Sequence, residues 1–449
     1  MSLPSTPRTV CAIGLWHLGS VVSASLAELG YDVIGVDPDA ERVRALGQGV
    51  PPLFEPDLER LMRKHVDAGR LRFTAEMGEG VRDADVVLLT FDTPVDEQDE
   101  LDLTPVTDAV QRMAATLKPN ALVVIQSQVP VGTCQQLQAM IQRLNPRWHP
   151  QLACVPENLR LGQAIQRFLS PAMLVIGADE SATRARVDAF LAGLSTPKRI
   201  LVDLKTAEMT KHALNAFFAT CVSFANELGG LCDEIGADGV RIAEAMRCDE
   251  RVGPKALIVP GGPFGGGTLA RDVTILKRVG KAHAYETFLI DAVLNVNARQ
   301  KRLVQRRLQR LFGSLQGLTV GVLGLTYKAG TSTLRRSPVI ELMNELIAGG
   351  AQVKAYDPKA DLTELDSAVR FRICPSVNEV AEGTDALIIA TEWPEFKELD
   401  YAVLRPTVRR PVILDTKNLL VPEQIAQAGF LYVGIGRGAP VGSQGGNGR

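Results

Sequence analysis

Short apolar runs alternate with amphipathic stretches toward both ends of the chain, and this alternation predicts βαβ units built on parallel sheets. The strands predicted in the first half are Thr9–Gly14, Val33–Asp37, Val86–Thr90, Ala121–Gln126, Leu152–Val155 and Met173–Ile176. The strands predicted in the second half are Thr319–Gly324, Val353–Asp357, Leu387–Ala390 and Val412–Leu414, with a helix from Ser337 to about Ile347. The chain is therefore predicted to be α/β, with one Rossmann-like sheet at each end.

The stretch between the two sheets carries no strand signal, and its beginning, Thr206–Ile235, has the periodicity of one long helix. We therefore predict a Rossmann-like domain over residues 1–204, a helical connector over 205–312 and a second Rossmann-like domain over 313–449. The last residues, Gly438–Arg449, are rich in Gly and Ser and predict a disordered tail. On the connector, we expect the apolar side chains of Met209, Phe217 and Phe224 to be core.

Composition narrows the class of protein without identifying it. The 449 residues are 46% hydrophobic and 22% charged with a net charge of −2, which gives no electrostatic argument for nucleic acid or an anionic membrane as partner. No run approaches the ~20 apolar residues of a membrane span, and the N-terminus lacks the pattern of a signal peptide. The seven cysteines form no CxxC pair and predict reduced thiols instead of a disulfide framework or a zinc site. We expect a soluble cytoplasmic protein without a bound metal.

A dinucleotide-binding signature follows the first predicted strand. Gly14 and Gly19 bracket a strand-to-helix turn, and Asp37 ends the next strand, where a carboxylate accepts the adenosine ribose hydroxyls and repels a 2′-phosphate. This favours NAD over NADP. Trp16 replaces the middle glycine, so its side chain must turn away from the pyrophosphate or crowd it. Arg42 and Thr93 are further candidate cofactor contacts. The alternative is a turn that merely packs helix on strand.

A collinear series of further motifs covers nearly the whole chain. It comprises Gly49–Leu58, Thr93-Pro94, Val129–Thr133, Pro156–Arg160, Ala207–Phe217, Phe224–Glu227, Arg251–Lys255, Phe264–Asp272, Gly324–Thr331, Arg335–Pro338, Ala355–Pro358, Thr391–Trp393 and Ile435–Arg437. The series resembles the UDP-glucose/GDP-mannose dehydrogenase family. The resemblance implies NAD on the first domain, a UDP- or GDP-sugar as substrate and a homodimer made through the central helices. It also implies that Arg251 reaches the partner's sugar-nucleotide site.

The resemblance also implies site residues. Lys211 and Asn215 match the family's lysine and asparagine, and at i and i+4 they share one helix face, where both can stabilise one developing alkoxide. Asp272 matches the aspartate that positions water, and Glu157 matches the first glutamate of a proline-glutamate loop. The implied substrate contacts are Leu159, Arg160, Arg251, Phe264, Gly265, Lys328 and Lys417. Cationic side chains suit a diphosphate.

The reaction centre departs from the family pattern. Family members oxidise C6 of the hexose in two hydride transfers, with a cysteine that traps the aldehyde and then carries a thioester. Thr268 stands at that cysteine position, and a threonine hydroxyl stays protonated near neutral pH, whereas a thiolate forms readily. Three neighbouring positions of the centre have changed as well: Gln128 stands for threonine, Leu161 for a second glutamate and Arg271 for lysine.

Three hypotheses remain open. A single hydride transfer needs NAD, an oriented C–H bond and a base, but no covalent trap, so the chain is expected to be a nucleotide-sugar dehydrogenase that stops after one oxidation. A second hypothesis is a redox-neutral, epimerase-like enzyme that retains NAD. The third is a non-enzyme, either a sugar-nucleotide sensor or the partner subunit of an active relative, and it is motivated by Trp16, Gln128, Leu161 and Thr268.

Overall fold

The computed structural model describes residues 8–93, 101–365 and 370–442. The chain packs into two compact units, Met1–Leu214 and Asn215–Arg449, and the boundary falls inside one continuous helix. The predicted division into three parts, at residues 204 and 312, rests on sequence periodicity and stays a prediction. The packing of the chain instead gives two compact units, which meet in the sequence between Leu214 and Asn215.

The first unit is built on an eight-stranded sheet in the order β3-β2-β1-β4-β5-β6-β7-β8, in which only the β6–β7 pair is antiparallel. Its strands are β1 (Thr9–Ile13), β2 (Asp32–Val36), β3 (Leu71–Thr74), β4 (Val86–Leu89), β5 (Leu122–Ile125), β6 (Leu152–Cys154), β7 (Leu174–Gly177) and β8 (Arg199–Val202). The central strands are buried on both faces, which explains their unbroken apolar sequences. After β1 the chain adds β2 and β3 on one side of it and then returns to add β4 on the other side. This change of direction opens a crevice at the carboxyl ends of the strands.

Helices cover both faces of this sheet. They are α1 (His17–Glu28), α2 (Ala40–Gly47), α3 (Leu58–Asp67), α4 (Met77–Val81), α5 (Thr104–Ala114), α6 (Thr133–Leu144), α7 (Ala164–Leu169) and α8 (Ser181–Phe190). Two separate apolar clusters result, one on each side of the sheet. Helix α1 is buried over nearly its whole length, so the turn before it is held by a rigid element.

A run of helices follows. They are α9 (Leu204–Ile235), α10 (Gly239–Cys248), α11 (Gly266–Ala282), α12 (Phe288–Lys301) and α13 (Leu303–Phe312). The predicted long helix is confirmed and starts two residues earlier. The prediction that Phe217 and Phe224 are core is wrong: they are 62% and 49% exposed, because they lie on a face of α9 that the rest of the second unit leaves uncovered.

The second unit carries a six-stranded parallel sheet in the order β11-β10-β9-β12-β13-β14. Its strands are β9 (Thr319–Leu323), β10 (Gln352–Tyr356), β11 (Arg372–Ile373), β12 (Ala386–Ile389), β13 (Val412–Asp415) and β14 (Leu431–Gly434). The elements around them are α14 (Pro338–Ala348), the 3-10 helix Leu362–Glu364, α15 (Val377–Ala381), α16 (Pro394–Lys397), α17 (Tyr401–Leu404) and α18 (Pro422–Gln427). The prediction of two Rossmann-like sheets joined by a long helix is confirmed.

The tail is ordered further than its composition predicts. Val441 pairs with Tyr432 on the edge of the second sheet through two backbone hydrogen bonds, because the edge strand β14 offers unpaired backbone groups. Residues 443–449 of the predicted tail lie outside the described residues, as does Pro94 of the Thr93-Pro94 motif. No helix in the described ranges combines the length and apolarity that crossing a bilayer requires.

Candidate functional site

The turn between β1 and α1 is shaped by two glycines. Gly14 has a φ of +93°, a left-handed conformation that favours glycine. Gly19 lies in the first turn of α1, where an added Cβ would stand 1.8 Å from the Gly14 carbonyl oxygen. Only glycine permits this approach of helix to turn, so the start of α1 is held directly above the end of β1. The turn therefore has the backbone geometry of a dinucleotide-binding loop.

Asp37 closes this turn from the end of β2. Its Oδ2 accepts a hydrogen bond from Leu15 N at 2.7 Å, and its Oδ1 accepts from Arg42 Nη1 at 2.8 Å and from Asp39 N at 3.0 Å. The guanidinium of Arg42 also lies 5.2 Å from the centre of the Trp16 ring. An ionised carboxylate offers about four acceptor positions, so Asp37 keeps capacity for a ribose hydroxyl.

The end of β4 faces the start of α1. Asp92 Oδ2 accepts a hydrogen bond from Leu18 N, in the first turn of the helix, at 3.1 Å. Thr93 is buried, and its Oγ1 donates to the Gln128 carbonyl oxygen at 2.9 Å. The glycine turn, Asp37 and Arg42 fit a dinucleotide, and the Asp92 carboxylate lies on the helix terminus that would receive its pyrophosphate.

A buried carboxylate ties α1 to the loop that carries Glu157. Glu55 is 3% exposed and contacts His17 Nε2 at 3.0 Å, while it accepts from Gly162 N at 2.9 Å and from Ala164 N at 2.7 Å. Burial opposes ionisation of Glu55, but the His17 and backbone hydrogen bonds outweigh it and hold the pKa of Glu55 below its ordinary value. The end of the loop is thereby fixed to the first turn of α1.

Glu157 and Lys211 come together within the first unit. Lys211 Nζ lies 3.6 Å from Glu157 Oε1 and 3.4 Å from Asn158 Oδ1, and Glu157 Oε2 accepts from Leu159 N at 2.6 Å. Lys211 and Glu157 line one small cavity, together with Gln128 and Glu208. Leu159 packs against the apolar core, whereas Arg160 is exposed.

Glu208 anchors this part of α9. It accepts from Gly132 N at 2.6 Å and from Cys134 N at 2.7 Å, at the start of α6. Burial raises the pKa of Glu208, although these two N–H groups and the neighbouring His212 oppose the shift. His212 Nε2 also contacts the Val129 carbonyl oxygen at 2.9 Å. The residues before and after Lys211 on α9 are therefore both anchored to the segment that leads into α6, and this fixes the position of the Lys211 backbone.

Asn215 and Asp272 come together within the second unit. Asp272 is fully buried and accepts a short hydrogen bond from Asn215 Nδ2, and Arg271 Nε lies 3.7 Å from Asp272 Oδ1. Thr268 precedes Asp272 by one turn on α11, so the two share a helix face. Thr268 is exposed. An exposed residue, Thr268, and a buried carboxylate, Asp272, therefore lie one turn apart on the same face of α11.

The segment before α11 is fixed by Asn297. Phe264 is buried, and its backbone N–H donates to Asn297 Oδ1 at 2.9 Å while its carbonyl oxygen accepts from Asn297 Nδ2 at 3.0 Å. A Cβ on Gly265 would lie 2.6 Å from Pro338 Cδ. Arg251, by contrast, is solvent-exposed and pairs with Asp249 at 2.7 Å. The structure thus places Arg251 on the surface of the chain.

The two lysines of the second sheet follow its strands. Lys417 comes just after β13 and pairs with Glu392 at 3.2 Å, and Lys328 follows β9 with its Nζ 5.7 Å from the centre of the Tyr327 ring. Lys417 lines a cavity of about 470 Å³, including its open mouth, together with Lys301, Gln300 and Pro338. The rest of the cavity lining is mostly apolar, and Lys301 pairs with Glu341 at 2.6 Å, so both lysines are already engaged by carboxylates. The cavity lies at the carboxyl ends of parallel strands, which is where ligands bind in such sheets.

Three domains of one known protein family match successive parts of this sequence. The model of the UDP-glucose/GDP-mannose dehydrogenase family, NAD binding domain, matches residues 8–194. The central domain of the same family matches residues 205–299, and its UDP binding domain matches residues 321–422. The chain belongs to the UDP-glucose/GDP-mannose dehydrogenase family. The family prediction is thereby confirmed, and NAD is the cofactor that the first domain of this family binds.

Full-length relatives agree with the family models. The chain is 36% identical over 441 residues to the UDP-glucose 6-dehydrogenase of Pseudomonas aeruginosa, covering 95% of this chain and 97% of that protein. It is 34% identical over 440 residues to the UDP-glucose 6-dehydrogenase TuaD of Bacillus subtilis, covering 97% and 95%. Among solved structures, a UDP-glucose dehydrogenase from Pyrobaculum islandicum superposes with a TM-score of 0.88 at 29% identity, covering 97% and 99%.

Sequence reasoning assigned no role to several of the polar groups described above, among them Asp92 and Glu55. Asp92 was not among the candidate residues, although it follows a central parallel strand at the edge where ligands bind. Glu55 was read as part of a motif without a role, because its partners at residues 17, 162 and 164 are distant in sequence. The position of Asp92 gave a usable signal, whereas the contacts of Glu55 required the fold.

Proposed function

We propose that this chain is an NAD-dependent dehydrogenase that oxidises the hexose of a UDP- or GDP-sugar in one two-electron step. The observation that carries the proposal is the helix α9, which presents Lys211 and, one turn later, Asn215 bound to the buried Asp272. Both relatives described above are named UDP-glucose 6-dehydrogenase, which supports UDP-glucose as the first substrate to test.

Oxidation of an alcohol at C6 removes a hydride from carbon and a proton from oxygen, and leaves an aldehyde. NAD, when bound, supplies the hydride acceptor. Lys211 and Asn215 donate hydrogen bonds to the oxygen as negative charge develops there, and such preorganised donors contribute most where water is excluded. Lys211 and Asn215 are both at least nine-tenths buried, which supports this role. Asp272 assists removal of the proton.

The second oxidation that the family resemblance implies proceeds through a covalent adduct at position 268. A cysteine thiolate adds to the aldehyde and then holds a thioester, but the Thr268 hydroxyl has a far smaller ionised fraction near neutral pH. Thr268 is exposed on the first turn of α11, and its neighbour Arg271 lies beside the carboxylate of Asp272. We therefore propose that the aldehyde is released instead of converted to the uronate.

Binding roles follow from position. Gly14 and Gly19 shape the turn before α1, Asp37 closes it, and Arg42 pairs with Asp37. We propose that these residues hold NAD together with Thr93, with Trp16 turned toward Arg42. On the substrate side, Lys417 lines the cavity of the second sheet and would face the diphosphate. The remaining substrate contacts that we propose are Leu159, Arg160, Arg251, Phe264, Gly265 and Lys328.

We also propose a homodimer. Phe217, Phe224 and Leu231 recur every seven residues along one face of α9 and are 62%, 49% and 60% exposed. A seven-residue apolar repeat is the pattern by which one helix packs along another. A cytoplasmic location is proposed as well, since the seven cysteines are free, as in a reducing compartment.

Incubation of the purified protein with NAD and a panel of UDP- and GDP-hexoses tests the function. We expect NADH from at least one sugar, and Lys211→Met should lower the rate by about 10²-fold or more because it removes the cationic donor. Lys205→Met, an exposed lysine at the start of the same helix, is the matched control and should retain activity. No NADH from any sugar would refute the proposal.

A second candidate is a sugar-nucleotide-binding partner subunit without turnover. The observation that favours it is the combination of Thr268 with Gln128, which lines the same cavity as Lys211. Calorimetry distinguishes the two functions: a binding subunit takes up UDP-glucose while NAD and sugar together give no product.

A further inference from the structure

The N-terminus of α1 is already engaged by an anionic side chain of the same domain. Leu18 N, in the first helical turn, donates to Asp92 Oδ2 at 3.1 Å. Backbone N–H groups of a first helical turn have no partner within the helix, so they bind anions readily. Helix α1 has no acidic residue of its own in that turn, and Asp92 supplies the carboxylate from the end of β4.

The same N–H group belongs to the surface that a dinucleotide needs. Gly14 adopts φ +93°, Gly19 allows the close approach of helix to turn, and residues 8–194 match a NAD binding domain. In such a turn the pyrophosphate lies at the helix N-terminus. A carboxylate and a pyrophosphate cannot share one N–H donor without placing like charges side by side.

We infer that Asp92 is an affinity-determining residue of the cofactor site, whose carboxylate competes with the pyrophosphate for the N-terminus of α1. The inference rests on the proposed NAD site. Asp92 is exposed just beyond the carboxyl end of β4, at the edge of the sheet where the dinucleotide would bind. The wild-type protein therefore binds NAD more weakly than the geometry of its glycine turn would otherwise allow.

The competition is specific to ligands that carry a pyrophosphate. Adenosine meets Asp37 and Arg42 but brings no charge to the helix terminus. ADP-ribose carries the pyrophosphate without the nicotinamide ring. Asp92 should therefore weaken NAD and ADP-ribose alike and leave adenosine unchanged.

Calorimetric titration of wild type and Asp92→Asn with NAD, ADP-ribose and adenosine tests the inference. The asparagine keeps an acceptor for Leu18 N and removes the charge. We expect NAD and ADP-ribose to bind about tenfold more tightly to the variant, which is the size of a charge effect at a helix N-terminus. Asp92→Ser, with its fold checked by thermal denaturation, should behave in the same way.

Asp32→Asn is the matched control. Asp32 is exposed at the amino end of β2, whereas the cofactor turn lies at the carboxyl ends of the strands, so this variant loses the same charge at the opposite edge of the sheet. It should leave all three affinities unchanged.

Several outcomes would overturn the inference. These are equal or weaker NAD binding by Asp92→Asn, equal tightening of adenosine, equal tightening in Asp32→Asn, or no NAD binding by any of the proteins. Turnover is measured separately. Tighter NAD binding without oxidation of any sugar would refute the proposed dehydrogenase and leave the role of Asp92 standing, whereas turnover with unchanged NAD affinity would do the reverse.

Discussion

Thr268 carries the chemical difference between one oxidation and two. A hydroxyl and a thiol occupy similar space, but only the thiol ionises readily enough to trap an aldehyde near neutral pH. Thr268 shares a helix face with Asp272, so a nucleophile placed there would stand next to the proposed reaction site. A nucleophile at position 268 would therefore be well placed for covalent catalysis, but the threonine hydroxyl is too weakly ionised to act as one.

Replacing Thr268 with cysteine should restore the trap without completing the reaction. Thioester hydrolysis needs a positioned water, and Gln128 and Leu161 stand where the family resemblance implies threonine and glutamate. We expect Thr268→Cys to accumulate a protein-bound sugar, visible by intact-protein mass spectrometry, with hydrolysis slower by about 10²-fold than in a variant that also carries Gln128→Thr and Leu161→Glu.

Thr268→Ser is the control for this experiment and should carry no adduct. Free uronate produced by Thr268→Cys as fast as by the triple variant would contradict the prediction. That result would show that Gln128 and Leu161 support hydrolysis.

At the level of elements, Glu55 connects α1 with the loop that carries Glu157. Its carboxylate satisfies two backbone N–H groups and His17 in a buried position. Such charge-assisted bonds are costly to lose because the buried donors are left without acceptors. The arrangement links the helix of the cofactor turn to the segment that holds Leu159 and Arg160.

We expect Glu55→Gln to lower the free energy of unfolding by about 1–3 kcal/mol at neutral pH. The pKa of Glu55 is depressed in the folded state, so its contribution is present above the ordinary value of 4.5 and is lost as the pH falls through the lower folded value. Urea unfolding of wild type and variant from pH 7 down to acid pH should show the difference shrinking below about pH 4.5.

Glu59→Gln serves as the control, because Glu59 is exposed and makes a surface pair with Arg63. Its effect should be within about 0.5 kcal/mol. A Glu55→Gln variant as stable as Glu59→Gln at pH 7, or one whose deficit does not change in acid, would contradict this account.

Much of this architecture could be predicted from local sequence. The buried strands β1, β2, β4 and β9 are continuous apolar runs, and glycine and aspartate mark their turns. Four strands were not predicted. Leu71–Thr74 and Arg199–Val202 contain charged residues at sheet edges, and Arg372–Ile373 has only two residues. The fourth, Leu431–Gly434, is apolar and buried, so its sequence carried a signal that the prediction did not use. The engagement of Leu18 by Asp92 could not be predicted, because sequence does not show which loop faces a helix terminus.

At the scale of the whole molecule, Phe217, Phe224 and Leu231 form an exposed apolar stripe along α9, and this stripe predicts self-association. Phe224→Asp combined with Leu231→Asp should shift the protein from dimer to monomer in sedimentation velocity. Each large apolar side chain contributes about 1.5–3 kcal/mol when buried, so the dimer should weaken by at least about 10²-fold. The aspartates also repel each other across the interface.

Val403→Asp is the control, because Val403 is a 65% exposed apolar residue on α17, outside the stripe. It should leave the dimer intact. A wild-type protein that is monomeric at every concentration, or a double variant that remains dimeric, would refute an interface on α9.

The central claim is that the chain performs one hydride transfer per sugar. The most direct test counts NADH formed against UDP-glucose consumed, with a carbonyl-trapping reagent present and the sugar product identified by mass spectrometry. We predict one NADH per sugar consumed and a trapped aldehyde at C6. Two NADH per sugar with free uronate, or no NADH at all, would contradict the account.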